Sequence, residues 1–179
     1  MKIYDTKSIK DQFPALQRKV WNKNLVYLDS AASMQKPKRV LDAISKSYCF
    51  NYSNVHRGLH KLSEEATANY EGSRLKIAKF INCSENEIIF TSGATAALNL
   101  VAYSWGMKNL SAGDEIIITI AEHHANIVPW QIIAEQKDVE IKAAFFDPNS
   151  EFNPDIIRDL VTDKTKIITF PHVSNVLGT

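Results

Sequence analysis

Cysteine is scarce in this chain of 179 residues, which has two, Cys49 and Cys83. They lie far apart and belong to no CxxC or Cys/His ligand pattern, so no metal site is expected and both read as buried or incidental thiols rather than nucleophiles. Long apolar runs are missing too. None approaches the roughly 20 residues that cross a bilayer, and the opening MKIYDTKSIKDQF is too polar for a secretory signal, so a cytoplasmic protein without membrane contact is expected. Nor does one sign of charge dominate. The 21 basic and 20 acidic side chains leave a formal net charge of +1 and are interspersed, which offers nucleic acid no basic face and leaves small molecules or proteins as partners. There is no internal repeat and no low-complexity segment. With 45% hydrophobic and 23% charged residues, the chain can still bury the core of an ordinary globular protein.

Residues 1–24 read as an N-terminal helical segment, followed by a strand over 25–28 and the small-residue turn Asp29-Ser30-Ala31-Ala32-Ser33. Pro37 suits the first position of a helix over about 36–48, whose apolar stripe is Val40, Leu41, Ile44 and Tyr48. After a loop rich in Asn and His, Ser63 is the expected N-cap of a helix running to about 81, with Glu64 and Glu65 in its first turn. Strands at 88–90, 115–120, 140–146 and 166–170 then alternate with helices. One helix follows Gly93, one covers about 128–136, and one starts at Asn153-Pro154 and turns Ile156, Ile157, Leu160 and Val161 inward. The strands are nearly continuous apolar runs, as in a parallel sheet covered by helices, so the fold class is α/β.

Chemistry concentrates where strands end. In EIIFTSGATAALNL (87–100) an apolar run turns at Ser92-Gly93 directly into an amphipathic helix. The first N–H groups of such a helix lack intrahelical partners and favour an anion, and Thr95 adds a hydroxyl donor. Gly and Thr also serve as plain turn and capping residues, so this signal is weak alone. In an open α/β sheet, ligands gather outside the carboxyl ends of the strands. Three loops should therefore converge: TSGAT (91–95), AEHHANIVPW (121–130) and HVSNVLG (172–178). Between them they supply a phosphate cradle, two adjacent histidines and the neutral amide of Asn175, a set that suits a planar, phosphorylated heteroaromatic ligand.

These motifs, together with YLDSAAS (27–33) and NVHRGLH (54–60), resemble the pyridoxal-phosphate cysteine desulfurases, and more narrowly the SufS type within the class V aminotransferase family, in the family's order from about 25 to 179. The resemblance implies that residues 25–179 are the N-terminal portion of the large domain of a fold-type I pyridoxal-phosphate transferase, a mostly parallel sheet flanked by helices, incomplete here. It further implies that Ala94 and Thr95 bind the cofactor phosphate. His123 would stack on the pyridine ring, in position to transfer a proton, and Asn175 would hydrogen-bond the ring oxygen. Ala31, His56 and Arg57, with His60, fall where substrate or a partner subunit is contacted, although a loop of solvated basic residues accounts for the last three equally well. His124 reads as structural, and Asn175 taken alone would read as a turn residue.

The family often has Glu-Gly where this chain has Ala96-Ala97, which favours the helix and removes a polar contact. The family's Schiff-base lysine, pyridinium-pairing aspartate, cysteine nucleophile and substrate-binding arginine are all expected beyond Thr179, and no lysine here stands in the family context of the Schiff-base residue. The implied activity converts L-cysteine to L-alanine and passes sulfur, carried as an enzyme persulfide, to an acceptor protein of the Suf system for iron–sulfur cluster assembly. The implied enzyme is a homodimer, and the 179 residues alone are expected to be inactive. Two other readings compete: a selenocysteine lyase or other class V enzyme sharing the pocket, and a non-catalytic interaction module.

Overall fold

Residues 4–145, 147 and 153–178 are described by the computed structural model, and the chain divides after Ile89 into two units. In the first, α1 (Thr6–Asp11) is capped by Asp5, whose side chain accepts the Ser8 N–H. A hairpin follows, β1 (Lys19–Val20) pairing antiparallel with β2 (Lys23–Asn24). Its turn residues Trp21 and Asn22 both have positive φ, 49° and 61°, as tight hairpin turns require. The strand expected over 25–28 does not form. The Leu25 N–H adds one more bond to Arg18 O, but among the described residues no strand pairs with the chain beyond it, and Val26 and Leu28 are 75% and 90% exposed.

Helix α2 (Lys38–Lys46) starts one residue after Pro37, which takes the cap position rather than the first helical one, and continues into a π-helical turn, Ser47–Asn51. Cys49 lies on that turn and is exposed while Cys83 is half-buried, so of the two readings, buried or incidental, the incidental one is left for Cys49. Helix α3 (Lys61–Ile81) ends at Asn82 in the left-handed region, φ 58°. Ser63 is not its cap. It sits inside the first turn, 1% exposed, because its hydroxyl is committed to Asn54 O and the Gly58 N–H. The strand expected at 88–90 is also absent. A 3-10 turn, Glu85–Glu87, closed by a Ser84/Glu87 capping box, leads into a stretch that joins no sheet, and Ile89 is 70% exposed.

In the second unit, α4 (Ala94–Val101) runs through a π-helical turn (Ala102–Gly106) into α5 (Met107–Asn109). Three parallel strands follow: β3 (Glu115–Thr119), β4 (Glu140–Ala144) and β5 (Thr165–Thr169), in the order β4-β3-β5. In register, Thr119 lies opposite Ala144 and Ile118 opposite Thr169. Helix α6 (Val128–Lys137), with Pro129 in its first turn and Asp138 closing it at φ 55°, connects β3 to β4. All five residues of the central strand β3 are buried. Ile116 and Ile118 point to one face, against Ala102, Leu110, Trp130, Ile133 and Val139, and Ile117 to the other. The strand expected over 140–146 is observed to Ala144, with Phe146 outside the described residues. The helix after Asn153 is only α7 (Asp155–Arg158). Pro154 rather than Asn153 takes its cap position, with Asn153 Oδ1 accepting the Asp155 N–H, and Val161 is 46% exposed because the chain turns away at Thr162, whose hydroxyl donates to Glu115 Oε2 at 2.6 Å.

At the amino ends of the strands Glu115 is buried and joined to Lys142 Nζ at 2.8 Å. Lys142 foremost, with the Thr162 and Thr165 hydroxyls, holds its carboxyl down to about 2 against the burial that would raise it. This ionic clasp lies at the end of the sheet away from the loops that carry the candidate site.

Candidate functional site

The chain passes from β3 to β4 on one side and returns to place β5 on the other. The strand order therefore reverses between β3 and β5, and the crevice at the carboxyl ends of those two strands is where an open α/β sheet binds ligands. His123 follows β3 and Asn175 follows β5, so the topology puts the two loops side by side, as the sequence predicts.

His123 and Asn126 build the first loop. The His123 ring is exposed, and its Nδ1 accepts the Ala125 N–H at 3.1 Å while its carbonyl accepts the Asn126 N–H at 2.8 Å. With Nδ1 used as an acceptor, the neutral ring carries its proton on Nε2. His124 lies edge-on, 6.4 Å between ring centroids. Behind them Asn126, 5% exposed, ties four elements together. Its amide nitrogen donates to Glu122 Oε2 at 2.7 Å and to Thr169 Oγ1 at the end of β5 at 2.8 Å. Its oxygen accepts the Trp130 indole N–H at 3.1 Å, and Glu122 in turn accepts the Thr119 hydroxyl at the end of β3. The sequence reading missed Asn126. Its signal was a polar residue four before a buried tryptophan on the same helical approach.

Asn175 is exposed within a turn organised by buried Ser174, whose hydroxyl accepts the Val176 and Leu177 N–H groups at 3.3 and 3.2 Å. Ala94 and Thr95 open α4, which packs against the His124–Asn126 turn. Gly93 caps that helix in an extended backbone with no side-chain cap, and a Cβ built on it would meet no atom within 4 Å. The helix start therefore presents uncapped N–H groups and the exposed Thr95 hydroxyl to open space, an arrangement that accepts an anion.

The remaining predicted residues belong to the first unit. Ala31 is exposed in the 29–33 turn, where Ser33 N–H bonds Asp29 O and Tyr27 OH donates to Ser33 O. His56 has φ 73° and its Nε2 lies 2.7 Å from Glu71 Oε1. Arg57 and His60 are exposed. Thr67 and Glu71, which hold this loop, were not foreseen, although the i,i+3 pairing of Glu71 with Arg74 on a long helix is readable in the sequence.

A family model described as aminotransferase class-V matches residues 26–179. The chain belongs to that family. Among relatives of this class-V chain, a probable cysteine desulfurase of a Synechocystis species is 48% identical over 172 residues, covering 96% of this chain and 41% of its own length. A solved apo cysteine desulfurase from Thermococcus onnurineus superposes with a TM-score of 0.87 at 30% identity, covering 99% of this chain and 42% of that one. The cysteine desulfurase CsdA of Escherichia coli gives 0.82 at 35% identity over 99% and 44%. The chain thus spans under half the length of the relatives it matches, and its architecture is that of part of the fold-type I transferases. No described helix of this class-V chain is long and apolar enough to cross a membrane.

Proposed function

We propose that the chain supplies the phosphate- and ring-binding part of a pyridoxal-phosphate cysteine desulfurase, which converts L-cysteine to L-alanine and passes the sulfur on. The observation that carries this reading is that the His123 loop and the Asn175 loop follow the neighbouring strands β3 and β5 at one strand-order reversal, with α4, whose start is uncapped, packed on the turn after His123. The donor set suits the cofactor. The Ala94 and Thr95 N–H groups and the Thr95 hydroxyl would hold its phosphate, and the Asn175 amide would donate to its ring oxygen. When bound, pyridoxal phosphate supplies an electron-accepting ring for loss of the substrate's α-proton.

His123 would stack on that ring. With Nδ1 already taken by the Ala125 N–H, Nε2 is the atom left to hold or give a proton. Asn126 fixes the backbone on which His123 rides and so limits the ring's wandering. The domain reading, a helical segment over 1–24 followed by the N-terminal portion of the large cofactor-binding domain over 25–179, belongs to this proposal. So do a cytoplasmic homodimer, the SufS subtype and delivery of sulfur to a Suf acceptor for iron–sulfur assembly. The polypeptide of these 179 residues alone is proposed to be inactive, since none of its residues takes the role of the family's Schiff-base lysine or nucleophilic cysteine.

The test is made on the full-length protein. Thr95→Val is expected to weaken cofactor binding, measured by absorbance titration, and His123→Ala to lower kcat by roughly 10²-fold or more while altering the absorbance of the bound cofactor. Wild-type behaviour in both variants overturns the site assignment. Alanine formed from cysteine by the 179-residue polypeptide overturns the inactivity claim.

A further inference from the structure

The buried side-chain amide of Asn126 has no hydrogen-bonding capacity left over. Its nitrogen donates to Glu122 Oε2 at 2.7 Å and to Thr169 Oγ1 at 2.8 Å. Its oxygen accepts the Trp130 indole N–H and the Thr169 hydroxyl, each at 3.1 Å. A primary amide offers two N–H groups and two lone pairs, and all of them are used. Thr169 supplies one bond in each direction from the last position of β5, 43 residues along the chain. On the other side Glu122 Oε1 accepts the hydroxyl of Thr119, the last residue of β3, at 3.1 Å. The series Thr119, Glu122, Asn126, Thr169 therefore joins the carboxyl ends of two neighbouring strands.

The backbone crossed by this series is the single 3-10 turn His124–Asn126. Such turns have poorly aligned hydrogen bonds, and one on an exposed loop opens readily unless something outside it holds it shut. Much depends on this turn. The His123 carbonyl accepts the Asn126 N–H and the His123 Nδ1 accepts the Ala125 N–H, so the orientation of the ring and the proton on its Nε2 follow from the closed turn. Helix α4 packs on the same residues, and β5 runs on from Thr169 toward Asn175. We propose that Thr169 and Glu122 are positioning residues that lock the Asn126 amide from two sides, so that the pose of the His123 ring is set by the end of strand β5. That this pose serves a pyridoxal-phosphate ring rests on the desulfurase reading; the lock does not.

Hydrogen exchange on the full-length protein without cofactor tests the lock. Thr169→Val keeps the shape of the side chain and removes both of its bonds to Asn126. The Ala125, Asn126 and Ile127 amides are then expected to exchange about tenfold faster, and Thr169→Ser, which keeps the hydroxyl, to restore protection. Glu122→Ala is expected to quicken the same amides, and it decides the matter if Thr169→Val does not fold. Wild-type exchange at these amides in both variants overturns the lock. Positioning is read on the full-length protein saturated with pyridoxal phosphate. Thr169→Val is expected to lose most of the visible circular dichroism that a ring held in one orientation shows. It should also lower kcat for L-cysteine roughly tenfold with KM within about twofold, Thr169→Ser staying near wild type. Wild-type dichroism and kcat in Thr169→Val overturn the positioning role. A wild-type protein that neither binds pyridoxal phosphate nor turns over cysteine removes the desulfurase reading and leaves the exchange result to decide the lock.

Discussion

The two units are held together by different means. In the second, Ile116, Ile117 and Ile133 have no solvent exposure and Trp130 only 2%, and the three strands close an apolar layer against α6. In the first, Ser63 and Ala78 are the fully buried residues among those described, while Trp21, Leu28, Leu59 and Phe80 stand almost wholly exposed. Its long helix is instead stitched to a loop by hydroxyls and a carboxylate. A buried Ile side chain is worth about 1.5–3 kcal/mol relative to exposure, whereas a typical hydrogen bond nets about 0.5–1.5. The second unit therefore draws its stability from area removed from water, and the first specifies a loop shape at modest gain.

That contrast can be broken by mutation. Ile133→Ala, in the layer with Ile116 and Trp130, is expected to cost about 2–5 kcal/mol in denaturant unfolding. Leu62→Ala on α3, 44% exposed, should cost under about 1. Equal losses would refute the comparison. Asn126→Ala leaves the Trp130 indole N–H unpaired and Glu122 short of a donor in a buried site, an expected loss of about 1–3 kcal/mol by calorimetry. It should also lower cofactor occupancy in the full-length protein.

In the first unit the counterpart is Ser63→Ala, which strips a partner from Asn54 O and the Gly58 N–H. About 1–2 kcal/mol is expected, with exchange at the Gly58 amide quickened. A loss above that of Ile133→Ala would mean that polar stitching, not burial, dominates the molecule.

The smallest effect is at acid pH. Glu115 is held at about 2 against an ordinary 4.5, so its folded form prefers the carboxylate. That preference stabilises fully above about pH 4.5 and is lost as pH falls from there through about 2. Glu115→Gln should flatten the acid limb of a stability profile over that window and leave the first unit's acid response unchanged.

Much of the second unit was legible because its strands are nearly continuous apolar runs that find each other within one stretch of chain. The run at 25–28 and the one at 88–90 are apolar too, yet neither becomes a strand. A strand's hydrogen bonds lie outside itself, and among the described residues neither run pairs in a sheet. Ser63 misled for a related reason. A serine before two glutamates is a good cap, but its hydroxyl had better partners in a loop five to nine residues away. That the loops carrying His123 and Asn175 follow strands of one sheet was legible from the pattern of apolar runs. Asn126 and Glu71 were not, because each matters through what it touches: Thr169, Trp130 and Glu122 for one, His56 and Arg74 for the other.

By itself, the sequence determined the α/β class, the helices, the central strands and the residue types offered at the candidate site. These follow from local patterning, since a helix closes its hydrogen bonds within itself and apolar spacing marks the face it buries. Only the tertiary structure decided which apolar runs pair, that the strand order reverses between β3 and β5, and that Asn126 and Glu71 brace the loops bearing His123 and Arg57. Those outcomes depend on groups far apart in the chain becoming neighbours, and the partner that completes a strand or a hydrogen bond is set by packing.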